Sequence, residues 1–324
     1  IEHKMGIHGS ATCQMRYEGA WGWIVGEPNR GLAAMFLMMN SARLHVGLQG
    51  LGHLEIATQN AVRHAAERVQ MGRPIAQHPA MRHLLLGLQA RVEGLRVLAG
   101  RAALALDLAA HHPDAGTRAR EDRIAALLTP IVKAQCTEAG FHGASAALQV
   151  FGGYGYVRET GIEQTLRDAR IAMIYEGTNE IQAIDLAQRK VAGDGGAALL
   201  GLLEDFALEA QACRGDAVLE PFGKALADEV DAARHGLHAM LARVGSEREA
   251  LLVLAPDLMQ AVTHTVLAWC WTRSARCALD EPDRDWAAGK LARMRYGIDW
   301  LLPVARVHWQ RLAGAAADLP AVAS

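Results

Sequence analysis

The chain is short of several things, and each shortage removes a class of function. Its five cysteines, Cys13, Cys136, Cys213, Cys270 and Cys277, form no CxxC pair, and no cysteine–histidine spacing suits zinc. They read as buried or half-buried thiols in a reducing compartment, and no metal site is expected. No apolar run approaches the roughly 20 residues needed to cross a bilayer. No basic-then-apolar leader opens the sequence, so the expected location is the cytoplasm. The net charge is only −2, which argues against a polyanion-binding surface. Lysine is scarce, 5 residues against 28 arginines, and the arginines are interleaved with acids rather than gathered in a basic block.

What is present is a 324-residue chain, 51% apolar and 21% charged, long enough for one large or two modest domains. Residues 1–27 carry Gly6, Gly9, Gly26 and short apolar runs such as Trp21-Gly22-Trp23-Ile24-Val25. This pattern predicts two or three strands, with the two tryptophans packing between them. From Pro28 the periodicity turns helical. Leu32, Met35, Met38, Met39 and Leu44 fall at three- and four-residue spacings, a stripe read as core filling, in a helix running to about Gln70. Pro79 starts a second helix with Met81, Leu84, Leu85, Leu88, Val92, Leu95 and Leu98 on one face. His111 to Gly116 reads as a solvated loop, a third helix spans about 117–151, and a fourth about 178–192. Gly193-Asp194-Gly195-Gly196 is the best domain boundary. About four more helices follow it, with Trp269, Trp271, Trp286, Trp300 and Trp309 in their core or at a subunit contact. Residues 1–193 hold 20 basic and 17 acidic side chains, the remainder 13 and 18. The acidic tail argues against a nucleic-acid partner.

The segment Ile174-Tyr175-Glu176-Gly177-Thr178-Asn179-Glu180-Ile181-Gln182 carries the most chemistry. A carboxylate stands just before Gly-Thr, where an irregular turn enters an amphipathic helix. Glu176 on such an elbow either complements the positive end of the following helix or serves as a general base beside a bound group. Its surroundings decide between these. Upstream lie Ala66-Glu67-Arg68-Val69-Gln70-Met71-Gly72-Arg73-Pro74, Leu148-Gln149-Val150-Phe151-Gly152-Gly153-Tyr154-Gly155-Tyr156, and Leu166-Arg167-Asp168-Ala169-Arg170. In this order and spacing the four blocks resemble the C-terminal half of flavin-dependent acyl-CoA dehydrogenases, over residues 1 to about 193. Glu2 to Ser10, Gly26-Glu27-Pro28-Asn29-Arg30-Gly31-Leu32, Glu159-Thr160-Gly161 and the long helical tail look like the 3-methylmercaptopropionyl-CoA dehydrogenase branch.

The resemblance implies a mainly α fold: the end of a truncated β-domain in residues 1–27, the family's helical bundle in 28–193, and an extra helical domain in 194–324. It places a helical domain and most of a β-domain before Ile1, so the chain is expected to be a fragment. It implies that an acyl-CoA thioester loses an α-proton to Glu176 and a β-hydride to FAD. Burial beside flavin and acyl chain would raise the Glu176 pKa from about 4.3 toward useful basicity, and its N–H would polarise the thioester oxygen. Gly177 would leave room for the ligand, and Asn40 and Arg43 would line the acyl-CoA site, Arg43 pairing with Glu176 or the substrate. Arg68, Gln149, Gly152 and Gly153 would bind FAD of a neighbouring subunit, which implies a homo-oligomer, dimer or tetramer. Thr178 and Glu180 would contact FAD at a helix start. Where family members usually carry an aromatic residue this chain has Met71. The electron acceptor would be an electron-transfer flavoprotein. An oxidase using O₂ with the same base and flavin, and a non-catalytic helical assembly fragment, are the competing readings.

Overall fold

Three long helices form the first layer: α1 (Gly31–Glu67), α2 (Pro79–His111) and α3 (Ala115–Phe151). The structure, a computed structural model, describes residues 1–244 and 248–314, and all of these side chains except Phe36, Leu37, Asn40, Val244 and Arg248. At 37 residues each, α1 and α3 run roughly 55 Å. They cross at glycines. A Cβ at Gly50 would lie 2.5 Å from Thr137 Cα, and one at Gly140 would lie 2.5 Å from the Gly50 carbonyl oxygen. Backbone therefore meets backbone, and the apolar side chains Leu44, Leu51, Leu54, Ala57, Ala61 and Ala65 fill the rest of the seam.

Local signals set the helix ends. Asp114 caps α3, accepting from Thr117 N at 2.7 Å. Gly152 ends it at φ 60°, ψ −140°, a conformation open only to glycine. Between α1 and α2 a two-strand ribbon pairs β1 (Val69–Gln70) with β2 (Arg73–Pro74), and Met71 sits almost fully exposed at its tip. Next come α4 (Ile162–Ala169), the 3₁₀ turn Arg170–Met173, and α5 (Asn179–Asp185), which passes into a π-turn at Leu186–Val191.

The tail holds α6 (Ala197–Ala212), α7 (Glu220–Val244), α8 (Arg248–Leu279), α9 (Arg284–Tyr296) and α10 (Ala305–Gly314), so five helices stand where about four are expected. Pro256 lies inside α8 without ending it. Trp271 on α8 joins the two halves. Its Nε1 donates to Ala90 O on α2 at 2.9 Å, and its ring lies against Gly94 and Gly297, where a Cβ would approach to 2.6 and 2.5 Å. Glu93 on α2 holds Lys290 and Arg293 of α9. One contiguous apolar core therefore runs through both halves.

Several expectations are corrected. Residues 1–30 contain no strand, and Trp21 and Trp23 are 96% and 87% exposed rather than packed. A strand needs a row of neighbours to take its N–H and C=O groups, and a single bond within this segment, Glu2 N to Thr12 O at 2.8 Å, does not make one. Its anchorage is confined to Met5–Ile7, where Ile7 N donates to Asp168 Oδ1 at 2.5 Å and Arg167 to Met5 O at 3.1 Å. Leu32, Met35 and Met38 are exposed, so that part of the stripe is not core here. Cys13 and Cys277 are exposed, whereas Cys136, Cys213 and Cys270 are buried as expected. The fourth helix is α-helical over Asn179–Asp185 and continues as a π-turn to Val191, close to the expected 178–192. Among the described residues one helix, Glu249–Leu279, is long and apolar enough to cross a membrane, with a mean hydropathy of 1.4. Two thirds of that stretch is buried inside the protein, which is the signature of a core helix. The Ala-rich end beyond Gly314 lies outside the described residues.

Candidate active site

Glu176 is held on the elbow that the sequence leads one to expect. It has φ 56° and the following Gly177 φ 85°, two left-handed residues in succession. For a residue with a Cβ that conformation costs on the order of 1 kcal/mol and persists only when its surroundings enforce it. Gln182, fully buried on α5, supplies part of the enforcement: its Nε2 donates to Glu176 O at 3.3 Å and Gly177 O at 3.4 Å. A Cβ on Gly177 would stand 2.8 Å from that same nitrogen. The positive φ of 85° favours glycine here, and the nearest neighbour of an added Cβ is Gln182 of this chain.

Thr178 caps α5, its Oγ1 accepting from Ile181 N at 3.4 Å. Asn179 turns inward. Its Oδ1 accepts from Lys133 Nζ and Thr137 Oγ1, each at 3.1 Å, and its Nδ2 donates to Ala134 O at 3.2 Å. The exposed Glu180 carboxyl sits below the usual carboxylate range because its own backbone N–H and the Thr178 hydroxyl bond to it. Tyr175 reaches α1 through its hydroxyl, which donates to Gln49 Oε1, and burial raises its pKa.

Arg43 is buried, it lines a cavity of about 530 Å³ together with Asp185 and Arg189, and its ion-pair partner is not Glu176. Nη1 bonds to Asp185 Oδ2 on α5 at 3.0 Å, tying α1 to the segment that carries the elbow. Its Nε is left without a hydrogen bond. Asn40 lies one turn earlier on α1, and its side chain is outside the described set.

A second cluster forms where α1, the ribbon and the end of α3 converge. Arg68, Gln149, Gly152 and Gly153 share one groove of about 600 Å³ with His64, Phe151 and Tyr154. The Arg68 guanidinium lies 5.5 Å from the Tyr154 ring centre, and His64 stacks on Phe151 at 4.1 Å. Burial, and then the Arg68 charge, lowers the His64 pKa and favours the neutral imidazole. A Cβ at Gly152 or Gly153 would meet nothing within 4 Å, so bare backbone faces open space. A cation, flat rings and approachable backbone suit the diphosphate and adenine of a dinucleotide. Glu176, Gly177, Thr178 and Glu180 do not line this groove; the predicted residues separate into an elbow set and a groove set.

Three residues of the elbow set escape sequence reasoning: Lys133, Gln182 and Asp185, all buried polar side chains. Lys133 carried a signal, a lone charge in the apolar run Ile131-Val132-Lys133-Ala134. Asp185 carried a similar one between Ile184 and Leu186.

Comparison with known proteins identifies the family. The family model "Acyl-CoA dehydrogenase, C-terminal domain" matches residues 29–191, and "Acetyl-CoA dehydrogenase C-terminal like" matches residues 199–322. A 3-methylmercaptopropionyl-CoA dehydrogenase of Ruegeria pomeroyi is 42% identical over 76% of this chain and 44% of its own. A broad-specificity linear acyl-CoA dehydrogenase of Mycobacterium tuberculosis, FadE5, is 35% identical over 64% of this chain and 37% of its own. The chain thus spans less than half the length of these relatives. Among solved structures, an acyl-CoA dehydrogenase complexed with FAD from Bacillus anthracis superposes with a TM-score of 0.75 at 19% identity, covering 89% of this chain and 51% of that one. Caenorhabditis elegans ACDH-11, in complex with C11-CoA, gives 0.68 at 20% identity over 86% and 45%. At those identities the likeness concerns the fold. The match of the C-terminal-domain model to half of the chain settles membership: the protein belongs to the acyl-CoA dehydrogenase family.

Proposed function

We propose that this chain is the base-bearing helical part of an FAD-dependent enzyme that removes an α-proton and a β-hydride from an acyl-CoA thioester. The observation that carries the reading is Glu176, half-buried on a doubly left-handed elbow that α1, α3 and α5 fix in place. A carboxylate held this way can take the proton from the carbon next to the thioester carbonyl, becoming a carboxylic acid, and general bases of this kind contribute about 10²–10⁴-fold in rate. The flavin supplies the acceptor for the hydride. Arg68, with Gln149 and the bare backbone of Gly152 and Gly153, is suited to hold a diphosphate and adenine. Thr178 and Glu180 stand on the base's side of the molecule.

The split between elbow set and groove set supports a homo-oligomer in which the groove of one subunit serves the flavin of its neighbour. On this reading residues 1–27 end a β-domain, 28–193 are the family bundle, and 194–324 are an added helical domain. The identity to the Ruegeria relative favours 3-methylmercaptopropionyl-CoA or another short or medium acyl-CoA as substrate; an electron-transfer flavoprotein is the acceptor that goes with this reading.

The test is Glu176→Gln in the flavin-loaded protein, assayed by dye reduction with butyryl-CoA and 3-methylmercaptopropionyl-CoA. Flavin content and acyl-CoA binding should persist while turnover falls by orders of magnitude. Near-normal dehydrogenation by the variant would sink the assignment.

A further inference from the structure

Lys133 stands at the centre of α3 with 0% of its surface exposed. A lysine in a helix normally extends its stem to bring the ammonium to water, and this one does not. No carboxylate lies within ion-pair distance of it among the described residues. Taking an ammonium out of water without such a partner costs several kcal/mol, so packing alone would favour leucine or methionine at this position. What the ammonium touches is the elbow's support. Of its three N–H donors one goes to Asn179 Oδ1 at 3.1 Å, and Thr137, one turn along α3, adds a second bond to the same oxygen at 3.1 Å. Asn179 is the first residue of α5, three positions after Glu176. Gln182 holds the elbow carbonyls from the middle of that short helix.

We propose that Lys133 is a positioning residue for the base: through Asn179 it clamps the first turn of α5, on which the Glu176 elbow rests. The inference rests on the reading of Glu176 as the base. The charged groups around Lys133 are Arg43 from α1, Glu180 from α5 and Glu176 from the elbow. Burial, together with Arg43, pushes the lysine down to about 8, while the two glutamates oppose that fall. At neutral pH the ammonium form therefore persists in the interior, where a charge acts through a low dielectric and is felt strongly.

The test uses Lys133→Met and separates a clamp from a plug. Amide hydrogen exchange over Glu176–Thr178 needs neither flavin nor substrate. Losing a hydrogen bond to a charged donor should speed elbow exchange roughly tenfold or more. The global melting temperature at pH 7 should not fall, because removing a buried charge is commonly neutral or stabilising. Should Lys133→Met fail to fold, Asn179→Ala leaves the lysine in place and should speed elbow exchange in the same way. A lower melting temperature with unaltered elbow exchange would make Lys133 a packing residue and overturn the proposal. Absence of acyl-CoA-dependent dye reduction in the flavin-loaded parent protein would sink the dehydrogenase reading instead, and the exchange experiment would still decide the clamp.

Discussion

Arg43 on α1 and Asp185 on α5 form an ion pair of 3.0 Å with both side chains more than nine-tenths buried. Arg189 approaches the second Asp185 oxygen at 3.5 Å from the surface side. The pair ties α1 to the segment bearing Glu176. Breaking one side of a buried pair strands the other charge, so Asp185→Ala should cost about 3–5 kcal/mol in urea unfolding. Arg43→Met combined with Asp185→Leu should recover most of that loss, since neither charge then remains. A double variant as unstable as the single one would show that hydrogen-bond geometry, not charge pairing, is what matters there.

Arg68 offers the opposite case. It is exposed at the end of α1, and its guanidinium contacts only the face of Tyr154 among the described residues. Arg68→Ala should therefore shift stability by no more than about 0.5 kcal/mol, while flavin retained through gel filtration should drop sharply. A variant that keeps stoichiometric flavin would reduce Arg68 to a surface charge.

These two arginines mark what can be read from a sequence of this kind. The start of α2 and its apolar face follow from proline and three-four spacing, because those signals act within a few residues, whereas α3 begins at Ala115, inside the expected loop, behind its Asp114 cap. The gathering of Arg68 with Gln149 and the two glycines was legible only through the order of the four motifs. Arg43 was legible as a buried cation, but not its partner: Asp185 lies 142 residues away and meets it only because α5 folds back onto α1. Trp21 and Trp23 failed for a related reason. Their alternation is a strand pattern, but a strand exists only where another backbone pairs with it. Lys133 was passed over because one lysine inside an apolar run looks the same whether it snorkels or stays buried.

His264 on α8 gives a pH dependence with a defined sign. Its Nδ1 donates to Gln260 O at 2.7 Å, and burial, aided by His308 and Arg91, pushes the imidazole down to about 4. In the unfolded chain it titrates near 6.5. Between those values the unfolded state binds a proton that the folded state refuses, so stability falls as pH drops from 6.5 toward 4. The loss attributable to this group is on the order of 3 kcal/mol at pH 4. His264→Gln should flatten that part of the stability curve relative to the parent protein and leave the difference between them constant above pH 7. Parallel curves down to pH 4 would refute the assignment.

The crossing of α1 over α3 makes a prediction in which one substitution changes sign with position. Replacing glycine by alanine inside a helix ordinarily stabilises by up to about 1 kcal/mol. Gly100 on α2 has nothing within 4 Å of its would-be Cβ, and Gly100→Ala should follow that rule. At Gly50 the added carbon would meet Thr137 Cα at 2.5 Å and the Cys136 carbonyl group at 2.6 Å, backbone atoms that cannot rotate away. Gly50→Ala must therefore push two long helices apart, and overpacking of this kind costs typically 1–3 kcal/mol. Functional damage should exceed what the lost stability explains. Arg68 sits at the end of α1 and Gln149 near the end of α3, so a change in the crossing widens the groove that both line. Flavin retention in Gly50→Ala should fall at temperatures where the protein remains fully folded by circular dichroism. Equal stabilisation of both variants would mean that the helices can slide apart freely, and the contact at Gly50 would then have no role in fixing the groove.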